Sequence, residues 1–134
     1  MIAIDVKMFA INSDTTLTEN QKILLTNNEY EKIMNFFQEC VDQSIVLNFF
    51  TYGESVDHDL TTYFASSIEK AEMFEQKFQD LTAEFSMRKF WNEFAIDVSI
   101  SQREVDFDEG TLANSGAELV NTEQSKIWGY EYPL

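Results

Sequence analysis

The chain has one cysteine, one histidine and one proline in 134 residues. With Cys40 alone, an intramolecular disulfide and an all-cysteine zinc site are excluded, and a reducing compartment is the simpler expectation. With His58 alone, a zinc site lacks the three or four converging ligands it needs, and a serine or cysteine nucleophile has one imidazole at most to activate it. Four glycines, none closely spaced ahead of a helix start, leave out the loops that cradle phosphates in nucleotide-binding proteins. No window approaches the roughly 18 consecutive apolar residues of a membrane span. The segment Met1 to Lys7 alternates instead of showing the basic stretch, apolar run and cleavage site of a secretory signal. The expectation is a cytoplasmic protein with no cofactor, no metal and no catalytic residue.

Positive charge is the scarcest property of all. Nine Lys and Arg stand against 24 Asp and Glu, a formal net charge of −15. Such an excess opposes compaction by self-repulsion, yet it draws a cationic partner from a distance and speeds encounter. The sign disfavours direct contact with nucleic acid or an anionic lipid surface. Nor is this a disordered acidic tail, because 44% of the residues are apolar and twelve are Phe. The length fits a single domain, residues 1–134, that buries a core of its own.

Ile2, Ile4, Val6 and Met8 recur at every second position, the period of a strand with one buried face. Residues 12–22 have no period and read as a loop, with Ile23-Leu24-Leu25 a short edge strand. Thr26 and Glu29 fit a capping box, in which hydroxyl and carboxylate satisfy each other's backbone donors. Tyr30, Ile33, Met34, Phe37, Cys40 and Val41 then follow at helical steps of three and four. Ile45 to Tyr52 is β-branched and aromatic, and Leu60 to Ala65 resembles it, so the two predict a hairpin closed by the acidic loop of Glu54, Asp57 and Asp59. Ser66 and Glu69 suggest a second capping box ahead of Ala71, Phe74, Phe78, Leu81 and Phe85. The end of that helix, at Ser86 or beyond Phe94, has no Gly or Pro to mark it. Ile96, Val98 and Ile100 alternate as a further strand, continued by Val105 and Phe107 with a bend near Gln102-Arg103. Residues 110–124 read as a mobile polar connection and 125–134 as an aromatic tail.

The order strand, helix, strand, strand, helix, strand predicts an α+β fold: an antiparallel sheet of about four strands with two amphipathic helices on one face, in ferredoxin-like or split βαβ order. That architecture hosts many functions and implies none.

Asp57-His58-Asp59 looks at first like a metal or general-base site. Alternate residues of an extended segment point opposite ways, however, and no second histidine completes a shell. The one-sided placement of acid says more. From Glu104 to Lys126 there is no intervening base, while Glu104, Asp106, Asp108, Glu109, Glu118 and Glu123 all fall in that interval. On a strand, Glu104, Asp106 and Asp108 would share a face at about 6.6 Å spacing, a row able to meet Arg or Lys. A solvated strand edge that deters aggregation is the competing explanation. Trp128 and Tyr130 are candidate hot-spot anchors, aromatic side chains being favoured there. Phe36, Phe50, Phe90 and Trp91 lie off the best apolar stripes and are candidates for an exposed patch.

In size and charge, though in no motif, the chain resembles the small acidic immunity proteins that neutralise bacterial nuclease toxins. The resemblance implies a non-enzymatic inhibitor whose partner is a basic protein such as a nuclease toxin or a nucleic-acid-binding enzyme. A phage-type DNA mimic, anti-restriction or anti-CRISPR protein would use the same physics. A structural or adaptor subunit, assembled as a homodimer or with a partner through exposed aromatics, is the alternative from another class.

Overall fold

A computed structural model of the chain describes residues 1–10, 24–54, 58–84, 90–91, 94–106, 108–114, 116–120 and 129–131. In chain order its elements are β1 (Ile2–Ala10), β2 (Leu24–Thr26), α1 (Asn27–Asp42), β3 (Phe49–Glu54), β4 (His58–Ala65), α2 (Ile68–Thr82), β5 (Phe90–Trp91), β6 (Phe94–Glu104), α3 (Glu109–Asn114), β7 (Glu118–Leu119) and β8 (Gly129–Glu131). The four long strands form an antiparallel sheet in the order β6-β1-β4-β3, with two-residue strands β5 and β7 added at its margins. Helix α1 links β1 to β3 with β4 between them, and α2 links β4 to β6 with β1 between them. This is the expected split βαβ order of an α+β sandwich. Strands β2 and β8 pair in parallel as a separate ribbon.

The alternation of β1 decides which face receives the helices. Ile2, Ile4 and Val6, with Phe50, Tyr63 and Ala65 from β3 and β4, pack against Ile33, Phe37 and Cys40 of α1 and Ala71, Phe74 and Phe78 of α2. All are below a tenth exposed, as the helical spacing predicts. Phe74 is the hub, its ring centre 5.3 Å from that of Phe36, 5.4 Å from Tyr63 and 6.1 Å from Phe78. Two of the four aromatics expected at an exposed patch are therefore core residues. Phe36 lies off the main stripe of α1 but is covered by Phe74 and Phe78 of α2, and Phe50 is fully buried on the sheet. The side chains of Phe90 and Trp91 lie outside the described residues.

Other boundaries differ from expectation for local reasons. The hairpin strand β3 starts at Phe49, because Ile45 and Val46 are taken up in the end of α1. Ser44 is left-handed (φ 57°), the Ile45 amide donates to the Cys40 carbonyl (2.8 Å) and the Ser44 amide to Val41 (3.0 Å). That is the Schellman pattern, with serine where glycine is usual. Ser44→Gly is expected to stabilise the fold by about 0.5–1 kcal/mol, the relief of left-handed strain exceeding the added entropy of the unfolded chain. A urea midpoint unchanged or lowered would contradict it. The cap of α2 is Ser67, one residue later than expected, its hydroxyl accepting from the Lys70 amide (3.3 Å). That helix ends at Thr82, well short of the aromatic stretch beyond Ser86, part of which forms β5.

Strand β6 keeps continuous register with β1, from Ala10 opposite Ile96 to Ile2 opposite Glu104, so the bend expected near Gln102-Arg103 is absent. The strand ends at Glu104, opposite Ile2. Gln102 reaches α2 by a hydrogen bond to the Glu75 carboxylate.

Candidate partner-binding surface

Once β6 ends, its acidic extension can no longer be a row on one strand. Val105 folds against Ala3 and Phe64, on the sheet face away from the helices, and its amide donates to the Met1 carbonyl (3.0 Å). Asp106 and Asp108 follow outside the sheet, and Asp108 stands immediately before α3. The chain then reaches β7, where Glu118 lies opposite Phe50 of β3, and Val120 enters the main core at 2% exposure. The segment from Val105 to Val120, much of it expected to be a simple connection, thus runs from one margin of the sheet to the other.

Between half-buried Val105 and buried Val120 this belt displays acid. Glu104, Asp106, Asp108 and Glu118 are all exposed, and Glu109 opens α3. From β6 to β7 are four inter-strand steps, so the carboxylates at its ends stand about 19 Å apart. The predicted row at about 6.6 Å spacing is corrected to a belt crossing the sheet's end. Glu118, part of the base-free stretch but not singled out as a contact, belongs to it. The signal was the missing base; the crossing depends on pairing partners that no local pattern encodes.

Asp108 has a local task as well. Its Oδ1 accepts from the Thr111 amide (2.9 Å) and from the Thr111 hydroxyl (3.0 Å). These bonds, the amide first, hold its carboxyl below the usual carboxylate range. A depressed folded value means the support is complete at neutral pH and is lost as pH falls through it. We expect the Thr111 amide to lose hydrogen-exchange protection over that acid interval in the wild type, and to be unprotected at every pH in Asp108→Ala. Identical pH profiles for the two would contradict the assignment.

At the belt's start, Arg103 is turned toward the sheet. Its Nε donates to Asp5 Oδ2 at 2.8 Å and its Nη2 to Asp5 Oδ1 at 3.4 Å, while the Thr62 hydroxyl donates to Asp5 Oδ1 at 2.7 Å. The cation nearest the belt in sequence is thus engaged with Asp5.

The remaining sequence candidates lie elsewhere. Glu54 and Asp59 are not in a loop; they are the terminal register pair of the β3–β4 hairpin. Asp59 is six residues from Ala65 along β4, about 20 Å, so this acidic pair sits at the opposite end of the sheet from the belt. Tyr130 is placed in β8 opposite Leu25. Asp57 and Trp128 lie outside the described residues.

Catalytic alternatives gain nothing in the described part. Burial pushes the Cys40 thiol up to about 12, the state of a small core hydrophobe rather than a nucleophile. Among the described residues no group of three His, Cys, Asp or Glu is arranged to hold a metal ion. A shallow groove of about 170 Å³, bounded by Ile2, Ile68, Gln102, Arg103 and Glu104, is smaller than the roughly 300–1,000 Å³ usual for small-molecule sites. No helix among the described residues is long and apolar enough to cross a membrane. No family model, curated protein or solved structure matches the chain.

Proposed function

We propose that this chain is a non-enzymatic inhibitor that neutralises a basic nucleic-acid-handling protein by laying its carboxylate belt in the cationic cleft where phosphates would bind. The belt carries the reading: exposed acids run from Glu104 to Glu118 across the end of the sheet, with no basic residue in the interval. Partly buried Val105 and buried Val120 tie its two ends to the sheet, so those carboxylates are presented with less ordering entropy to lose on binding than a free acidic tail would have. An immunity protein against a bacterial nuclease toxin fits this best. A phage-type DNA mimic, anti-restriction or anti-CRISPR protein is the variant that shares its physics. The adaptor reading loses Phe36 and Phe50, which are buried.

The test is to use the chain as bait in lysate at low salt and elute with a salt gradient. A basic nucleic-acid-handling protein released as salt rises supports the proposal, since phosphate-like contacts between exposed charges are screened over about 8 Å at 0.15 M. Recovery of the bait alone, or of partners indifferent to salt, overturns it.

A further inference from the structure

The shallow groove beside Glu104 combines an apolar floor with acidic rims. The floor is Ile2 of β1 and Ile68 at the start of α2, which at 54% exposure is the most exposed large apolar side chain among the described residues. On one rim, Glu104 of β6 lies opposite Ile2, and its carboxylate has no hydrogen bond or ion pair among the described residues. On the other rim, Ile68 and Glu75 stand two turns apart on one stripe of α2, about 10.5 Å along its axis. Gln102, the neighbour of Glu104 on the same sheet face, donates to the Glu75 carboxylate and so holds a second acid at the groove's inner end.

Two positive features border the groove, and both are offset. Alternation along β6 turns the Arg103 side chain to the opposite face of the sheet, where Asp5 holds it. The amino end of α2 adjoins Ile68, but Ser67 caps it and Glu69 and Glu72 follow in its first turns. An anion would therefore be repelled here. A purely apolar side chain would cover Glu104 and leave its charge desolvated and unpaired. A side chain with an apolar stem and a cationic head satisfies both floor and rim. The volume of about 170 Å³ holds one such side chain and no longer segment of chain.

Resting on the inhibitor function proposed above, we infer that this groove seats one arginine of the basic partner, its stem on Ile68 and Ile2 and its guanidinium on Glu104. Arginine fits better than lysine, because its guanidinium is weakly hydrated and meets a carboxylate with two parallel donors. The groove shares Glu104 with the belt, so a cationic cleft drawn to the belt passes directly over it. The two then have separate tasks. Exposed carboxylates set the speed of encounter, and the seated arginine sets how long the complex lasts.

Ile68→Ser removes half of the floor without changing charge or a core residue, and a urea midpoint near that of the wild type shows that the fold is intact. Against the captured basic protein, its association rate is expected to stay within about twofold of wild type while dissociation quickens by about tenfold. Each arginine and lysine of the partner's cleft is then replaced by alanine. One arginine is expected to lose its effect on dissociation when measured against Ile68→Ser, the non-additivity of a shared contact. Dissociation unchanged by Ile68→Ser, non-additivity with a lysine instead, or none with any arginine would each overturn the inference and leave the inhibitor reading standing. Failure to capture any basic protein would overturn the inhibitor reading and this assignment with it.

Discussion

Replacing Phe74 with alanine is expected to cost about 3–5 kcal/mol, a large part of the roughly 5–15 kcal/mol that holds a domain of this size together. The Phe74 side chain joins both helices to the sheet. Phe74 is fully buried, stands about 5.3–5.4 Å ring to ring from Phe36 of α1 and Tyr63 of β4, and continues down α2 to Phe78. Truncation removes apolar area from the core and opens a cavity that two helices and a sheet cannot all close. Phe74→Leu is expected to retain much of that stability, since the volume lost is smaller. The measurement is the urea midpoint of each variant by circular dichroism. A loss below about 1 kcal/mol for Phe74→Ala would mean that the helices do not pack on the sheet through this residue.

The second large effect concerns the belt. Neutralising Glu104, Asp106 and Glu118 together, as Gln, Asn and Gln, is expected to slow association with the captured basic protein by about tenfold or more at low salt, and to flatten its salt dependence. Asp108 is left intact because it caps α3, which keeps a change in local fold out of the comparison. The control neutralises Glu31, Glu72 and Asp80, three exposed acids on the helices, and removes the same total charge. Stopped-flow association rates across a salt series distinguish the sets. If both slow binding equally, the partner responds to net charge alone and the belt has no special standing.

These two predictions rest on features that were unequally legible in the sequence. The Phe74 layer was readable because burial on a helix repeats at three and four, and α2 carries Ala71, Phe74 and Phe78 at those steps. The strand order followed from short β-branched segments alternating with two such helices. What failed depended on partners. Phe36 looked exposed from α1 alone, but α2 covers that side as well. The alternation of Val105 and Phe107 resembled a longer β6, whereas the strand ends at Glu104 and Val105 packs against Ala3 and Phe64. Adjacent Ser66 and Ser67 are equivalent as capping residues until the backbone fixes which amides stand free.

The acidic candidates divide along the same line. Base-free composition from Glu104 onward was visible at once. That it becomes a belt across the sheet's end was not, because the crossing is set by Val120 joining the core and by the pairing of Glu118 with Phe50. Glu54 and Asp59, expected in one loop, face each other at the far end of the same sheet. By register this pair is a second acidic locus, separate from the belt.

The most direct trial of the proposed function is displacement. With the captured basic protein bound to labelled duplex DNA, the chain is titrated in and fluorescence anisotropy reports the DNA that remains bound. Stoichiometric release by the wild type, with release by the Glu104, Asp106 and Glu118 variant requiring markedly more protein, is the expected result. A chain that joins the complex while the DNA stays bound would contradict the claim that its carboxylates occupy the place of phosphates.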